Sequence, residues 1–217
     1  MAKVIIIGGG IIGTCSAYYL LQQGYEVTII DKGNMQDGCS YGNAGYVCPS
    51  HIVPLASPGI VWQGLKWMAN SKSPFYVQPR WSSSLYKWGL QFIKSATKEH
   101  VAYSAIPLRD IALLSKNLYE ELSAVPGFDF YYEKKGIFDF FKTERNAHHS
   151  KELVVVSKKL GLDVELLDKK EVEELEPGLN MDIEGAIFFK CDAHLYPNKL
   201  MSDMIAYLKS SGVKIQT

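Results

Sequence analysis

The fold of this chain is decided by the stretch Val4-Ile5-Ile6-Ile7-Gly8-Gly9-Gly10-Ile11-Ile12-Gly13. Its β-branched start, without a polar residue, is typical of a strand buried on both faces of a parallel sheet. The glycines have the G-x-G-x-x-G spacing, and Ile11 to Gln23 predicts a helix that ends before Gly24. The segment Val27-Thr28-Ile29-Ile30-Asp31 predicts a second strand followed by an acid. This order of elements is that of a dinucleotide-binding βαβ unit.

Each part of this unit has a chemical role. Gly8 permits the tight turn, and Gly10 has no side chain to block a diphosphate that approaches the N–H groups at the start of the helix. Gly13 lets the helix pack closely on the strands. Asp31 would accept hydrogen bonds from a ribose 2′-hydroxyl and repel a 2′-phosphate. The pattern therefore predicts an adenine dinucleotide without that phosphate; a structural glycine turn in an unrelated α/β protein is the alternative.

The composition is that of a globular protein. The 217 residues include 23 Lys plus Arg and 23 Asp plus Glu, so the formal net charge is zero, and 47% of the residues are hydrophobic. These values exclude a disordered chain, a collagen-like chain and a general nucleic-acid-coating protein. At about 150 residues per domain, the length predicts one sizeable core with a second lobe.

The sequence shows neither an export signal nor a metal-binding motif. Its apolar stretches are shorter than the roughly eighteen residues that a membrane-crossing helix needs, and the N-terminus lacks a secretory cleavage site. We therefore expect a cytoplasmic protein. The four cysteines have no C-x-x-C spacing, and His148 and His149 lack a suitably spaced third ligand. We expect reduced cysteines and no metal site.

The segment after Asp31 distinguishes between two dinucleotides. An NAD-binding domain would continue promptly to another helix and strand, whereas residues 32–53 are rich in small and turn-forming side chains. Within them, Ser40-Tyr41-Gly42-Asn43-Ala44-Gly45 could place a hydroxyl, an amide and close backbone beside a phosphate or a flavin ring. This pattern favours FAD over NAD; an ordinary surface loop is the alternative.

At these positions the sequence resembles a known family, the FAD-dependent D-amino-acid dehydrogenases of the glycine and D-amino-acid oxidase (DAO) superfamily. The resemblance extends over nearly the whole chain. Besides the strands and glycine turn above, it is carried by Ser40-x-x-Asn43-Ala44-Gly45, Pro58-Gly59, Leu65-Lys66-Trp67-Met68, Asp192-Ala193-His194-Leu195-Tyr196-Pro197 and Ser211-Gly212-Val213-Lys214-Ile215.

The fold implied by this resemblance is α/β. It consists of a Rossmann-like FAD-binding βαβ unit with an inserted α+β substrate domain, of the glutathione-reductase-like or DAO type. The implied division is residues 1–56 for the first FAD-binding segment, 57–191 for a helical and antiparallel-sheet substrate or cap region, and 192–217 for a return segment. Family members are considerably longer, so we expect this chain to be the N-terminal portion of such an enzyme, without the C-terminal part.

The resemblance also implies which residues hold the cofactor. The glycine turn and the first helical residues would hold the diphosphate, Asp31 and Lys32 would flank the adenosine ribose, and the segment from Ser40 would line the other side. The expected FAD-binding residues are Gly8, Gly9, Gly10, Ile11, Ile12, Gly13, Asp31, Lys32, Ser40, Asn43, Ala44 and Gly45. Tyr46 and His51 are candidates for the substrate pocket, and no catalytic residue is assigned.

The implied reaction is the transfer of a hydride from the α-carbon of a D-amino acid to FAD, followed by hydrolysis of the imino acid to a 2-oxo acid and ammonia. The electrons would pass to a membrane quinone or another acceptor, and no nucleic acid is involved. A secondary amine such as hydroxy-D-proline or sarcosine is the alternative substrate. A non-catalytic dinucleotide-binding module is the alternative function.

The middle of the chain combines tryptophan with positive charge. From Gly38 to Lys98 there is no Asp or Glu, but all four tryptophans and six basic residues lie there: Trp62, Trp67, Trp81 and Trp88, with Lys66, Lys72, Arg80, Lys87, Lys94 and Lys98. Such a surface could rest on an anionic membrane. The pattern is compatible with burial of these aromatic residues in a core, which is the usual place for dense aromatic residues, and with peripheral contact with the inner face of the cell membrane.

Further elements are predicted from periodicity and turn residues. Pro107, followed by apolar residues at helical spacing, predicts a long helix that begins at this proline. Two aromatic runs, 128–132 and 137–141, predict an antiparallel hairpin that could form a wall of a substrate cavity. Residues 197–210 predict a helix, and residues 213–216 predict a strand that returns to the first sheet.

Overall fold

The computed structural model describes residues 2–68, 70, 73, 77, 78 and 80–217. Lys72, one of the basic residues in the predicted membrane-facing segment, lies outside the described residues. The strands are β1 (Lys3–Ile7), β2 (Glu26–Ile30), β3 (Tyr46–Val47), β4 (Ile137–Phe141), β5 (Val164–Asp168), β6 (Gly185–Phe189), β7 (Ala193–His194) and β8 (Lys214–Gln216). The helices are α1 (Ile11–Gln22), α2 (Ile60–Met68), α3 (Ser83–Ser95), α4 (Lys98–Ser123), α5 (Glu144–Lys159), α6 (Lys169–Leu175) and α7 (Pro197–Ser210).

Residues from the two ends of the chain meet in one parallel sheet. Its strand order is β1-β2-β8, with Ile5 opposite Thr28 and Ile29 opposite Ile215. The predicted return of the chain to the first sheet is therefore confirmed. The preceding helix, α7, also has the predicted bounds.

The apolar sequence of strand β1 predicts burial on both faces, and this prediction is wrong. It lies at the edge of the sheet, and Ile5 and Ile7 are 64% and 78% exposed. Ile6 points to the other face and packs against the core. Burial depends on what covers a face as well as on its residues: the central strand β2 buries Val27 and Ile29 completely or nearly so.

Helices α1 and α7 pack against each other beside this sheet. Ala17 of α1 is fully buried in the resulting first core, as are Met201, Met204 and Leu208 of α7. The three α7 residues are three and four positions apart, so they lie on one face of the helix. This spacing explains why α7 packs along its whole length.

A second, antiparallel sheet has the order β4-β6-β5 and packs against α5. Phe189 of β6 lies directly opposite Val164 of β5, so both side chains point to the same face. With Ile187 of β6 and Val154 of α5, they form a second core that is separate from the first.

The predicted hairpin between residues 128–132 and 137–141 is wrong. Strand β4 pairs with β6 instead, and the segment before it is not a strand. Tyr131 has a φ of 52°, which interrupts an extended chain, and Phe128 and Phe130 are buried in the first core. Burial of these two rings therefore overrides the strand propensity of the segment.

Helix α4 begins at Lys98 and not, as predicted, at Pro107. Thr97 caps its N-terminus, because the Thr97 hydroxyl accepts a hydrogen bond from His100 N at 3.2 Å. Pro107 lies inside the helix, where it lacks the N–H that would bond to the carbonyl of Tyr103. Helix α4 thus continues through Pro107 with one backbone hydrogen bond fewer, although a proline usually marks the end of a helix.

Helix α4 also joins the two cores. Its residue Ala105 is buried in the second core and Leu122 in the first. Arg109 Nη1 donates to the carbonyl of Leu160 at 2.8 Å, which fixes the helix to the end of α5. Within the described residues, no helix, including α4, has the length and apolar content required to cross a bilayer.

Replacement of Leu208 tests the first core. We expect Leu208→Ala to lower the free energy of unfolding by about 2–5 kcal/mol, because apolar burial is lost and a cavity is left. The control is Leu114→Ala on α4, where the side chain is 56% exposed and the change should stay below about 0.5 kcal/mol. Urea unfolding followed by circular dichroism measures both. Equal losses would show that Leu208 does not lie in this core.

Candidate functional site

The glycine turn joins β1 to α1 and brings their backbones into close contact. Gly8 has a φ of 102°, a left-handed conformation that favours glycine, and its N–H donates to the carbonyl of Ile30 at 2.8 Å. A β-carbon on Gly13 would collide with the carbonyl oxygen of Gly8. The turn therefore requires glycine at both positions, and it places the start of α1 against the carboxyl ends of β1 and β2.

The start of α1 presents N–H groups that the helix itself cannot bond. The Ser40 hydroxyl lies there and accepts a hydrogen bond from Ile11 N at 3.0 Å. A β-carbon on Gly10 would lie 3.1 Å from this hydroxyl, so the absence of a side chain lets the two segments approach. An anion at this point would meet the N–H groups of Gly10 and Ile12 and the hydroxyl proton of Ser40.

Asp31 follows β2 and binds the glycine turn directly. Its Oδ2 atom accepts from Gly9 N at 2.6 Å, and Oδ1 accepts from Gly33 N at 2.8 Å. The Gly9 N–H, followed by the Gly33 N–H, holds the pKa of Asp31 below its usual value. Because each carboxylate oxygen can accept more than one hydrogen bond, Asp31 can fasten the turn and still accept from a ribose hydroxyl.

Met35 belongs to this site, although the sequence analysis missed it. It is buried with a φ of 63°, a conformation that methionine rarely adopts. Its thioether fills the space where a β-carbon on Gly9 would lie. This packing explains why residue 9 is a glycine in addition to the three that the motif requires. The sequence gives no signal that Met35 belongs to the site, because this residue lies among ordinary turn-forming residues.

Asn43 and Gly45 shape the loop that carries Ser40. Asn43 Nδ2 donates to the carbonyl of Ser40 at 3.2 Å, and Asn43 Oδ1 accepts from Gly45 N at 2.8 Å. Gly45 has a φ of 71°, and a β-carbon on it would collide with the carbonyl oxygen of Leu195. These contacts show how Asn43 and Gly45 hold the Ser40 hydroxyl at the start of α1.

The other predicted site residues lie at the surface. Lys32, Ala44, Tyr46 and His51 are exposed. Tyr46 lies in β3, directly opposite His194 of β7, and these strands form a short antiparallel ribbon. His51 lies in the loop that follows the ribbon.

Asp192 anchors this loop and was also missed. Its buried carboxylate accepts from Ser50 N at 3.0 Å and from Ser50 Oγ at 2.6 Å. Burial, assisted by the negative charge of Asp192, raises the pKa values of Cys48 and Cys191 to about 12, so both thiols stay protonated. An acid between the apolar strands β6 and β7 is the signal that could have identified Asp192.

The described part of the chain also contains an apolar groove, which does not suit a charged dinucleotide. An apolar groove of about 670 Å³ between α1 and α4 has no charged residue in its lining. Burial raises the pKa of Cys15 there to about 11 and that of Tyr119 to about 12, so both side chains are neutral. Among the described residues, no group of three or more His, Cys, Asp or Glu side chains could hold a metal ion.

The turn at the start of α1 therefore has the donors that a dinucleotide requires. The Ser40 hydroxyl lies beside the first N–H groups of the helix, and a carboxylate suited to sugar hydroxyls binds the same turn. Residues 3–217 match a family described as FAD dependent oxidoreductase, or DAO. The chain belongs to this family. The predictions of FAD as the cofactor and of a Rossmann-like α/β fold are thereby confirmed.

Curated relatives of this DAO-family chain include two bacterial proteins, each named D-amino acid dehydrogenase. The protein of Helicobacter pylori is 30% identical over 212 residues, which cover 98% of this chain and 50% of the relative. That of Methylobacterium nodulans is 33% identical over 181 residues, which cover 82% of this chain and 42% of the relative. The chain thus spans about half the length of the curated relatives it matches.

Solved structures of similar fold include a glycine oxidase and an L-amino acid deaminase. Glycine oxidase from Bacillus cereus has a TM-score of 0.65 at 22% identity, covering all of this chain and 47% of that one. L-amino acid deaminase from Proteus vulgaris has a TM-score of 0.64 at 19% identity, covering all of this chain and 40% of that one. At these identities the likeness establishes the DAO-type fold.

We expect Asp31→Asn to weaken FAD binding roughly tenfold, because an amide offers one acceptor oxygen where the carboxylate offers two. The lowered pKa of Asp31 also means that its charge stabilises the folded chain above about pH 4, and that this stabilisation is lost as the pH falls through the folded-state pKa. The difference in unfolding free energy between wild type and Asp31→Asn should be constant near neutral pH and vanish in acid. FAD titration, and urea unfolding at several pH values, measure the two effects.

The control for this prediction is Asp139→Asn, because Asp139 is an exposed residue of β4 in the second sheet. It should leave FAD binding unchanged. A stability difference for Asp31→Asn that persists in acid would contradict the assigned role of the carboxylate.

A second substitution tests the close approach within the turn. We expect Gly13→Ala to lower the free energy of unfolding by about 1–3 kcal/mol and to weaken FAD binding, because its β-carbon must displace the Gly8 carbonyl. Gly38→Ala is the matched control: its β-carbon meets no atom within 4 Å, and its effect should stay within about 0.5 kcal/mol. Urea unfolding and FAD titration provide the measurements. Similar results for both variants would refute the packing role of Gly13.

Proposed function

We propose that this chain binds the diphosphate and adenosine of FAD in a dehydrogenase of D-amino acids. The observation that carries the proposal is the meeting of the Ser40 hydroxyl with the first N–H groups of α1, beside the carboxylate of Asp31. The choice of D-amino acids is supported by the names of the curated relatives, at about 30% identity over most of the chain.

In the proposed reaction the substrate loses a hydride from its α-carbon and a proton from its amine, and water hydrolyses the imino acid to a 2-oxo acid and ammonia. When bound, FAD supplies the acceptor for the two electrons. The N–H groups of Gly10 and Ile12, with the hydroxyl of Ser40, would hold the diphosphate. Asp31, whose carboxylate pKa is lowered by its two N–H donors, would accept from the ribose.

The substrate would lie beyond the Ser40 loop, near Tyr46 and His51. Asp192 would act there as a positioning residue, since it fixes Ser50 next to His51 through two hydrogen bonds. We propose the corresponding division of the chain into an FAD-binding segment (1–56), a substrate or cap region (57–191) and a return segment (192–217). In this division the return segment supplies both Asp192 and β8.

The electron acceptor in the proposal is a small molecule such as a membrane quinone. The supporting observation is that both curated relatives are named dehydrogenases. A dye that accepts electrons from reduced flavin can therefore replace the natural acceptor in an assay.

The proposal is tested with the purified full-length protein supplied with FAD. D-alanine or D-proline should reduce a dye acceptor and yield the 2-oxo acid, whereas the L-enantiomers should not. Ser40→Ala should lower FAD affinity and activity together, because it removes the hydroxyl from the start of α1. Ser123→Ala, at the far end of α4, should change neither.

The outcomes separate the alternatives. Preference for sarcosine or hydroxy-D-proline would replace the D-amino acid in the proposal by a secondary amine. A full-length protein whose bound FAD is not reduced by any of these substrates would act as a non-catalytic dinucleotide-binding module, and the proposed activity would be wrong.

A further inference from the structure

Three exposed tyrosines lie beside the loop that carries Ser40. Tyr46 of β3, Tyr131, and Tyr196 at the start of α7 are 63%, 61% and 53% exposed. A tyrosine ring carries a large apolar area, so three uncovered rings leave much apolar surface in water. Single exposed apolar residues are ordinary, but several on one face are typical of a place where a ligand or a partner binds.

Backbone pairing places these rings on one face. His194 of β7 lies opposite Tyr46 on one side and opposite Glu133 on the other, so the three side chains point the same way. Tyr196 is two residues after His194, which gives it the same direction. The ring centre of Tyr131 lies 6.4 Å from that of Tyr196. We call these five residues the tyrosine face.

The opposite side of the same segments belongs to the first core. Val47 and Ala193, which follow Tyr46 and precede His194, are buried there, and so is Phe130. This alternation of buried and exposed positions is that of strands with one covered side. The strand pairing that buries these neighbours therefore also directs the tyrosines away from the core.

The backbone at Tyr131 is unusual. Its φ is 52°, a conformation that a large side chain rarely adopts. Because Glu133 is opposite His194, regular pairing would join Tyr196 N to the carbonyl of Tyr131. Tyr196 N donates instead to the carbonyl of Phe130 at 2.8 Å. The pairing thus contains an extra residue, as in a β-bulge, a feature that redirects side chains and is frequent next to active sites.

The charged side chains on and around the tyrosine face have partners of opposite charge. Glu133 Oε2 lies 2.6 Å from Lys135 Nζ and 3.5 Å from His194 Nε2. In the first turn of α7, Lys199 Nζ lies 2.6 Å from Asp203 Oδ1. The face therefore offers ring surfaces and hydroxyl groups with balanced charge, which suits a neutral flat group better than an ionic one.

The tyrosine face is continuous with the candidate FAD site. Gly45, which ends the loop that carries Ser40, accepts a hydrogen bond from Leu195 N at 2.9 Å. Tyr46 directly follows Gly45, and Tyr196 directly follows Leu195. A substrate near Tyr46, as proposed above, would therefore place its side chain next to the three rings.

We propose that the tyrosine face binds the aromatic side chain of a D-amino acid substrate. The substrate ring packs against Tyr46, Tyr131 and Tyr196 in the edge-to-face or offset arrangements that aromatic rings prefer. The face thereby selects amino acids such as D-phenylalanine over D-alanine. The inference rests on the proposed oxidation of D-amino acids and adds to it the class of side chain.

A comparison of substrates tests the class of side chain. With the full-length protein, FAD and a dye acceptor, kcat/KM should be roughly tenfold higher for D-phenylalanine than for D-alanine. D-cyclohexylalanine has nearly the same size without an aromatic ring, and its kcat/KM should be severalfold lower than that of D-phenylalanine. D-lysine should also be the poorer substrate, because the carboxylate of Glu133 already has cationic partners.

Substitutions locate the contact. Tyr131→Ala with Tyr196→Ala should lower kcat/KM for D-phenylalanine roughly tenfold relative to that for D-alanine, because the ring contacts are lost. Tyr131→Phe with Tyr196→Phe keeps both rings and should keep the preference, so it provides the test even where the alanine pair fails to fold. Tyr103→Ala is the matched control, since this tyrosine of α4 is 80% exposed and lies outside the tyrosine face. It should leave the ratio unchanged.

A binding measurement separates this inference from the proposed reaction. The compound 3-phenylpropionate has the ring and carboxylate of phenylalanine but no amine, so it cannot be oxidised to an imino acid. Calorimetric titration should show that it binds the full-length protein more tightly than propionate does. The alanine pair should lose this difference, and Tyr103→Ala should keep it.

The outcomes distinguish the two proposals. Equal kcat/KM values for D-phenylalanine and D-alanine, or a preference for D-lysine, would overturn the inference and leave the dehydrogenase activity standing. An alanine pair that unfolds more easily but keeps the substrate preference would also overturn it, because the rings would then pack against another part of the full-length protein. Binding of 3-phenylpropionate that depends on the rings, without oxidation of any D-amino acid, would support the aromatic site and refute the proposed reaction.

Discussion

The structure depends on the first turn of α1, where N–H groups without helical partners must be satisfied from outside the helix. The glycines bring other segments close enough to do so: Gly10 admits the Ser40 hydroxyl, and the Gly9 N–H reaches the carboxylate of Asp31. Gly13 lets α1 pack against the same turn. The resulting local excess of hydrogen-bond donors makes this turn suitable for a diphosphate, and it belongs to the framework that joins β1, α1 and β2.

The loop that carries Ser40 is held in place by residues that are distant in the sequence. Gly45 accepts a hydrogen bond from Leu195 N at 2.9 Å, Tyr46 pairs with His194, and Ser50 donates to Asp192. The return segment also supplies β8, which completes the parallel sheet beside β2. The N-terminal segment therefore supplies the candidate FAD-binding residues, and the return segment holds the loop that carries Ser40 in position.

Apolar residues have two different environments in this molecule. In the cores, the apolar residues of α7 and β2 are removed from water, which stabilises the fold. In α2 and α3, large apolar side chains remain in water beside lysines and an arginine. In a chain with no net charge, this concentration of positive charge on one segment gives the molecule a preferred orientation in an electric field such as that of an anionic surface.

The sequence by itself determined β1, α1, β2, α7 and β8, because the glycine spacing and the local periodicity of each segment favour one conformation. It also indicated Ser40 and Asp31 as parts of the site, through their residue types and their positions after β2. The tertiary structure decided the features that depend on distant partners. Phe128 and Phe130 pack in the first core and form no hairpin, and β1 lies at the edge of its sheet with Ile5 and Ile7 exposed. Met35 joins the site because it packs against Gly9. Asp192 joins it through hydrogen bonds to Ser50, which is 142 residues away in the sequence. Such features cannot be read from local pattern, because burial and long-range hydrogen bonds belong to pairs of segments and not to either segment alone.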